Sequence, residues 1–102
     1  MGLAVALEDE LGKRIDGVED PPNILHRLLP SSDETKFSCL RYIDWYGNTV
    51  FNRRQMLDLV EEIRSLANRV TDHEEIELLG RIVELALRGQ SEPHLYLRFI
   101  GD

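Results

Sequence analysis

The sequence predicts an α+β fold in two layers, with an antiparallel sheet of about four to five strands covered on one face by two long helices. Three observations lead to this prediction. Residues 39–66 have the pattern of strand, turn, strand and amphipathic helix, residues 71–89 carry apolar side chains at helical spacing, and apolar residues alternate near both ends of the chain. Alternation indicates half-buried strands, whereas apolar spacings of three and four residues indicate helices.

The first third of the chain predicts a short hairpin followed by a small helix. Residues 3–7 alternate large and small apolar side chains, and residues 13–18 return antiparallel after a turn at Leu11-Gly12. Pro21-Pro22 then interrupts regular structure, because proline lacks the backbone N–H group that helices and strands use. Residues 23–29 carry apolar side chains at helical spacing, which predicts one or two helical turns.

A second hairpin is predicted at the centre of the chain. Residues 40–43 supply the apolar and aromatic side chains of a strand, and residues 49–51 supply the returning strand. Between them, Gly47 and Asn48 tolerate the backbone conformations of a tight turn. The sequence therefore predicts that these two segments pair with each other.

The first long helix is predicted to begin directly after this hairpin. Asn52 can cap the helix, Gln55 completes a capping box, and Phe51 can pack on Met56 across the first turn. Apolar residues from Met56 to Val70 lie within roughly 120° of the helical wheel. One face of this helix is therefore expected to be buried.

The second long helix and a final strand complete the predicted fold. Thr71 and Glu74 form a second capping box, and Gly89 is placed to end the helix. The apolar arc of this helix covers about 200°, so we expect it to pack against two neighbours. Apolar side chains then alternate from Leu95 to Phe99 and predict a half-buried strand.

Length and composition predict one domain, residues 1–102, in the cytoplasm. A chain of 102 residues can bury a core without covalent cross-links. The single cysteine, Cys39, excludes an internal disulfide and favours a reducing compartment. The apolar start of the chain is too short for a signal peptide, and no apolar run reaches the roughly 20 residues that span a membrane. We therefore expect no contact with a membrane.

The charge distribution indicates the kind of partner. The net charge is −7, with 8 acidic and 3 basic residues in 1–35, 4 and 6 in 36–70, and 7 and 3 in 71–102. Nucleic acid binding requires a concentrated basic face, so this balance argues against it. The acids, including Glu74 and Glu75, instead favour a protein partner with a basic surface. The alternative is that these acids only keep the surface solvated.

No familiar catalytic or metal-binding signature occurs in the chain. Nucleotide-binding, serine hydrolase, zinc protease and EF-hand motifs are absent from the sequence, which argues against an enzyme and against a cofactor. His73 and Glu77 lie one helical turn apart, but a zinc site needs three or four ligands. Cys39 is expected to be a small buried residue rather than a nucleophile.

Three arginines form a candidate anion-binding site. Arg53 and Arg54 lie in the first turn of the predicted helix, where positive charge opposes the helix dipole, and Arg41 lies on the adjacent strand. Together with free N–H groups at the helix N-terminus, they can bind a phosphate or carboxylate. Alternatively, Arg54 pairs with Asp58 and Arg53 pairs with an acid near the start of the chain.

Two further surfaces are candidates for partner binding. Trp45 and Tyr46 at the predicted hairpin tip can anchor a partner or can cover the core. Leu78 and Leu85 lie on one side of the wide apolar arc, and a homodimer can bury them if nothing else in the chain does.

These observations support two functional hypotheses. The first is a small acidic, non-enzymatic protein-interaction module, such as an inhibitor, an immunity-type protein or a regulatory subunit. The second is a sensor or enzyme-like domain that holds a small anion at Arg41, Arg53 and Arg54.

Overall fold

The computed structural model describes residues 3–20 and 23–101, so the predicted break at Pro21-Pro22 lies outside the described residues. Within this range the regular elements are β1 (Ala4–Asp9), β2 (Arg14–Glu19), α1 (Ile24–Leu28), β3 (Asn48–Phe51), α2 (Met56–Ala67), α3 (His73–Ser91) and β4 (Leu95–Ile100). Two short 3-10 turns, Leu40–Tyr42 and Arg53–Gln55, precede β3 and α2 respectively.

The strands form one antiparallel sheet in the order β2-β1-β4-β3. The strands β1 and β4 are central, and β2 and β3 form the two edges. Val5 of β1 lies opposite Val18 of β2 and Phe99 of β4, and Phe51 of β3 lies opposite Leu97. The prediction of an α+β fold with an antiparallel sheet and two long helices is confirmed.

The core lies between one face of the sheet and the helices. Along β4, Leu95, Leu97 and Phe99 are buried whereas the residues between them are half-buried, as the alternation of the sequence predicts. The rings of Phe51 and Phe99 meet edge to face, with centroids 5.7 Å apart. The helix α3 contacts both the sheet and α2, so its wide apolar arc has a neighbour on two sides.

The predicted central hairpin is wrong. Residues 40–42 form a 3-10 turn, and β3 pairs with β4 instead of with this segment. The physical reason is Glu62 on α2, whose carboxylate accepts the N–H groups of Cys39 at 3.1 Å and Leu40 at 2.9 Å. Because these backbone donors bond to a helix side chain, they do not take part in a strand ladder.

The predicted capping box at the start of α2 is confirmed. The Asn52 side chain accepts the N–H of Arg54, and the Gln55 side chain accepts the N–H of Asn52, each at 2.9 Å. Phe51 and Met56, the residues expected to pack across this turn, are both buried. This capping box opens as the 3-10 turn Arg53–Gln55 and continues as α2.

Both predicted ends of α3 differ from the structure. Asp72, not Thr71, caps the helix by accepting the N–H groups of Glu74 at 2.9 Å and Glu75 at 3.4 Å. The helix runs two residues beyond Gly89, which is buried inside it. A Cβ atom at this position would lie 3.0 Å from Met56 Cε, so the glycine permits α3 to approach α2 closely rather than ending the helix.

Candidate functional site

A groove between β2 and the first half of α3 brings together two acidic segments that are distant in the sequence. Its volume is about 260 Å³. The lining residues are Val18, Glu19, Asp20, Ile24, Glu74, Glu77, Leu78 and Arg81.

The groove combines an apolar base with exposed carboxylates. Ile24 and Leu78 are buried, and both contribute apolar surface to the lining. Glu19, Glu74 and Glu77 are exposed at its rim. Such a lining suits a long cationic side chain, because the aliphatic stem of lysine or arginine packs on apolar surface while the charged end reaches the acids.

Asp20 is the one buried acid of the groove and has a structural role. Its two carboxylate oxygens accept the N–H groups of Ile24 at 2.8 Å and Leu25 at 2.7 Å, which satisfies the first turn of α1. The carboxylate therefore orders the helix that forms one wall of the groove.

Arg81 is the single basic residue among the groove residues, and several acceptors share its charge. It lies 3.1 Å from Glu84 and 3.6 Å from Asp16, and it donates to the carbonyl oxygen of Gly17 at 3.4 Å. Glu77 Oε2 lies 3.8 Å from His73 Nε2, and the ion pairs among the described residues include none between Glu77 and Arg81. The rim of the groove therefore keeps an excess of negative charge.

Glu74 and Glu75, the two acids predicted from the sequence to bind a partner, have different surroundings in the structure. Glu74 faces the groove, whereas Glu75 accepts a hydrogen bond from Arg27 Nε at 3.1 Å and its side chain is only 12% exposed. Glu75 therefore joins α3 to α1. Glu19 and Glu77 are the acids that lie beside Glu74 instead.

Two of the three arginines of the predicted anion site lie together. Arg53 and Arg54 line a pocket of about 240 Å³, and its other lining residues are Asn52, His94, Leu95 and Tyr96. Arg41 is not among the lining residues, and its guanidinium carbon lies 4.8 Å from the centre of the Tyr42 ring. The expected set of Arg41, Arg53 and Arg54 is therefore replaced by Arg53, Arg54 and His94.

Contacts within the chain leave the pocket with the positive charges of Arg53 and Arg54, but they use the backbone N–H groups at the start of α2. Arg53 Nε donates to the carbonyl oxygen of Gln90 at 2.9 Å, and His94 Nδ1 lies 3.2 Å from Glu10. The capping box already binds N–H groups of the first turn, so an anion here would bind side chains. The expected pairing of Arg54 with Asp58 is not found among the described ion pairs, and no sequence motif indicates that His94 joins this pocket.

The two aromatic residues after the 3-10 turn Leu40–Tyr42 have different surroundings. Trp45 is half-buried against the core, and its ring meets that of His26 edge to face at 4.8 Å. Tyr46 is 85% exposed. Trp45 therefore covers the core, and Tyr46 is the residue of the pair that is open to a partner.

Leu78 and Leu85 do not form an exposed strip. They are 9% and 1% exposed, because α3 lies against the sheet on one side and against α2 on another. The condition for a homodimer through these two leucines, that nothing else in the chain buries them, is therefore not met. The exposed apolar side chains of α3 are Ile76 and Leu87.

The described residues offer no sign of metal or thiol chemistry. They contain no cluster of three or more His, Cys, Asp and Glu side chains placed to bind a metal ion. Burial raises the pKa of the Cys39 thiol to about 11, and the nearby charge of Glu62 adds to this effect, so the thiol is neutral near pH 7. Among the same residues, no helix is long and apolar enough to cross a membrane.

No protein-family model, no curated protein and no solved structure matches this chain. The fold and the two surface sites define a small α+β protein with an acidic groove and a separate cationic pocket.

Proposed function

We propose that the chain is a non-enzymatic interaction module that binds a basic segment of another protein in the groove between β2 and α3. The observation that carries this proposal is the convergence of Glu19, Glu74 and Glu77 on one groove with an apolar base. The proposal covers an inhibitor, an immunity-type protein or a regulatory subunit.

Charge and shape have separate roles in the proposed contact. The exposed acids attract a basic partner over a distance of about 8–10 Å at physiological salt and raise the association rate. The apolar base then distinguishes a lysine or arginine side chain from a small cation, because only the side chain has a stem to pack there.

The test is a binding titration with labelled basic peptides, compared between wild type and Glu74→Gln plus Glu77→Gln. Loss of two ion pairs at the exposed rim is expected to weaken binding about tenfold, and raising the salt concentration is expected to weaken it further. The matched control is Asp58→Asn plus Glu61→Gln, which removes the same charge from the exposed face of α2.

The control separates a specific groove from a general effect of net charge. The proposal requires that the α2 double variant bind as wild type does. An equal loss in both variants would show that net charge alone attracts the peptides, and the groove would then have no special role.

The pocket at Arg53, Arg54 and His94 supports a second candidate function, the binding of a small anion. Its size suits a phosphate or a small carboxylate, and two guanidinium groups can each donate two hydrogen bonds to such a ligand. Calorimetric titration with inorganic phosphate and with citrate should show one ligand per chain, abolished in Arg53→Ala plus Arg54→Ala and retained in Arg64→Ala. Absence of heat in wild type would eliminate this candidate.

We also propose that the protein works in the cytoplasm. The free, buried thiol of Cys39 supports a reducing compartment. Localisation of the tagged protein in cells, compared with a secreted control, tests this proposal.

A further inference from the structure

Three of the side chains that line the pocket at Arg53, Arg54 and His94 have free hydrogen-bond donors. The capping box uses the Asn52 amide oxygen, which accepts the N–H of Arg54 at 2.9 Å, so the NH2 group of Asn52 is left. Arg53 donates Nε to the Gln90 carbonyl oxygen at 2.9 Å, which leaves its two terminal NH2 groups. None of the described lining residues is acidic. The pocket therefore favours a ligand that is rich in hydrogen-bond acceptors.

The charge and the donors of the pocket match a phosphate monoester better than a carboxylate. A phosphate monoester has a charge of roughly −1.5 to −2 near pH 7 and three terminal oxygens, which suit the two guanidinium groups of Arg53 and Arg54. A carboxylate has a single charge and two oxygens, so it leaves guanidinium charge unpaired. Because the Gln90 carbonyl already holds Arg53, this side chain loses less freedom when a ligand binds.

The rest of the lining indicates what the phosphate is attached to. Most of the surface exposed inside the pocket is apolar, although its charged groups are cationic. Leu95, which is 5% exposed, and the half-buried Tyr96 line the pocket beside the arginines, whose aliphatic stems are also apolar. Inorganic phosphate leaves this surface in contact with water, whereas an apolar group attached to the phosphate covers it. The lining therefore favours an organic phosphate over the free ion.

We propose that this pocket binds a small organic phosphate monoester, with its phosphate on Asn52, Arg53 and Arg54 and its apolar group on Leu95 and Tyr96. The inference rests on the second candidate function, the binding of a small anion, and names the class of that anion. The pocket volume of about 240 Å³ lies below the roughly 300–1,000 Å³ of sites for drug-sized molecules, so the apolar group is about one ring in size. The site is independent of the groove between β2 and α3.

The first experiment compares three probes by calorimetric titration of the full chain: phenyl phosphate, inorganic phosphate and benzoate. Phenyl phosphate is expected to bind one per chain and about tenfold or more tightly than either of the others. Inorganic phosphate lacks the ring that covers the apolar lining, and benzoate lacks the third oxygen and the additional charge. The two comparisons therefore test the apolar group and the phosphate group separately.

The second experiment changes one part of the pocket at a time. Asn52→Asp keeps an oxygen that caps the helix but replaces the NH2 group with a negative oxygen, so it should weaken phenyl phosphate binding about tenfold or more without unfolding the protein. Tyr96→Ala, verified as folded by circular dichroism, should reduce the preference for phenyl phosphate and change the affinity for inorganic phosphate by less than about twofold. Arg64→Ala, on the exposed face of α2, is the control and should bind both probes as wild type does.

The outcomes that overturn the inference differ from those that remove the anion pocket itself. Absence of heat with all three probes eliminates the anion pocket and this inference together. Equal affinity for phenyl phosphate and inorganic phosphate keeps the anion pocket but excludes the apolar group, and equal affinity for phenyl phosphate and benzoate excludes the preference for phosphate. Phenyl phosphate binding that is unchanged in both Asn52→Asp and Tyr96→Ala occurs at another surface and overturns the assignment.

Discussion

Glu62 is the residue on which the path of the loop before β3 depends. Its buried carboxylate accepts hydrogen bonds from the N–H groups of Cys39 and Leu40 and from the Ser38 hydroxyl at 3.2 Å. Glu62→Ala leaves these donors without an acceptor and is expected to cost about 2–4 kcal/mol of stability, with Glu62→Gln costing less because one oxygen remains. Urea unfolding measures the free energy of each variant.

The neighbouring residue is the matched control for this prediction. Glu61 has the same side chain on the same helix but is exposed, so Glu61→Ala is expected to change stability by no more than about 0.5 kcal/mol. If the two alanine variants unfolded at the same urea concentration, the carboxylate of Glu62 would have no special role in holding the loop.

Cys39 makes stability depend on pH in the alkaline range. Burial, with a smaller contribution from the charge of Glu62, raises its pKa from 9.0 to about 11 in the folded state. Because the folded state binds the thiol proton more tightly than the unfolded state, this contribution is complete below pH 9 and is lost as the pH rises towards 11. Unfolding midpoints should therefore fall more steeply between pH 9 and 11 in wild type than in Cys39→Ala, which lacks the thiol.

Contacts between residues close in sequence could be predicted, whereas contacts between residues far apart in sequence could not. Asn52 and Gln55 lie three residues apart, so their capping box can be recognised in the sequence. The contact between Glu62 and Leu40 spans 22 residues and that between Arg27 and Glu75 spans 48. No spacing rule connects such pairs, because the fold brings them together only after the helices have packed.

At the level of elements, the junction between β3 and α2 predicts an order of stability losses. Phe51 packs edge to face on Phe99 in the core, so Phe51→Ala is expected to cost about 3–5 kcal/mol. Asn52→Ala removes one capping hydrogen bond at the surface and is expected to cost about 1 kcal/mol. Chemical denaturation of both variants checks the order, and a larger loss for Asn52→Ala would contradict the packing described for Phe51.

The element that sequence patterns describe least well is the partner of β3. A strand, a turn and a second apolar segment predict a local hairpin, yet β3 pairs with β4, more than forty residues further along the chain. Leu40 and Ile43 are buried, as their apolar side chains indicate. They pack into the core from a 3-10 turn and the residue after it, not from a strand. Burial was thus predictable from the sequence, whereas the strand partner was not, because hydropathy does not specify which backbone groups will meet.

At the level of the whole molecule, the width of the apolar arc on α3 correctly indicated two neighbours. The sequence did not reveal whether the second neighbour belongs to the same chain. In the structure both neighbours of α3 belong to the chain itself: α2 lies on one side and the sheet on the other. The acidic groove could be anticipated only in part, because Glu74 was singled out from its charge whereas its position beside Glu19 depends on how β2 and α3 pack.

Leu85 and Leu87 distinguish a side chain that holds the molecule together from one that is available to a partner. Leu85 is 1% exposed and Leu87 is 38% exposed on the same helix. Leu85→Glu places an unpaired carboxylate in the core at a cost of several kcal/mol, comparable with the roughly 5–15 kcal/mol that stabilises a small domain, so it should abolish cooperative unfolding. Leu87→Glu should melt close to wild type, because the side chain that it replaces is exposed. A Leu85→Glu variant that still unfolds cooperatively near the wild-type midpoint would contradict the packing of Leu85 between α3, α2 and the sheet.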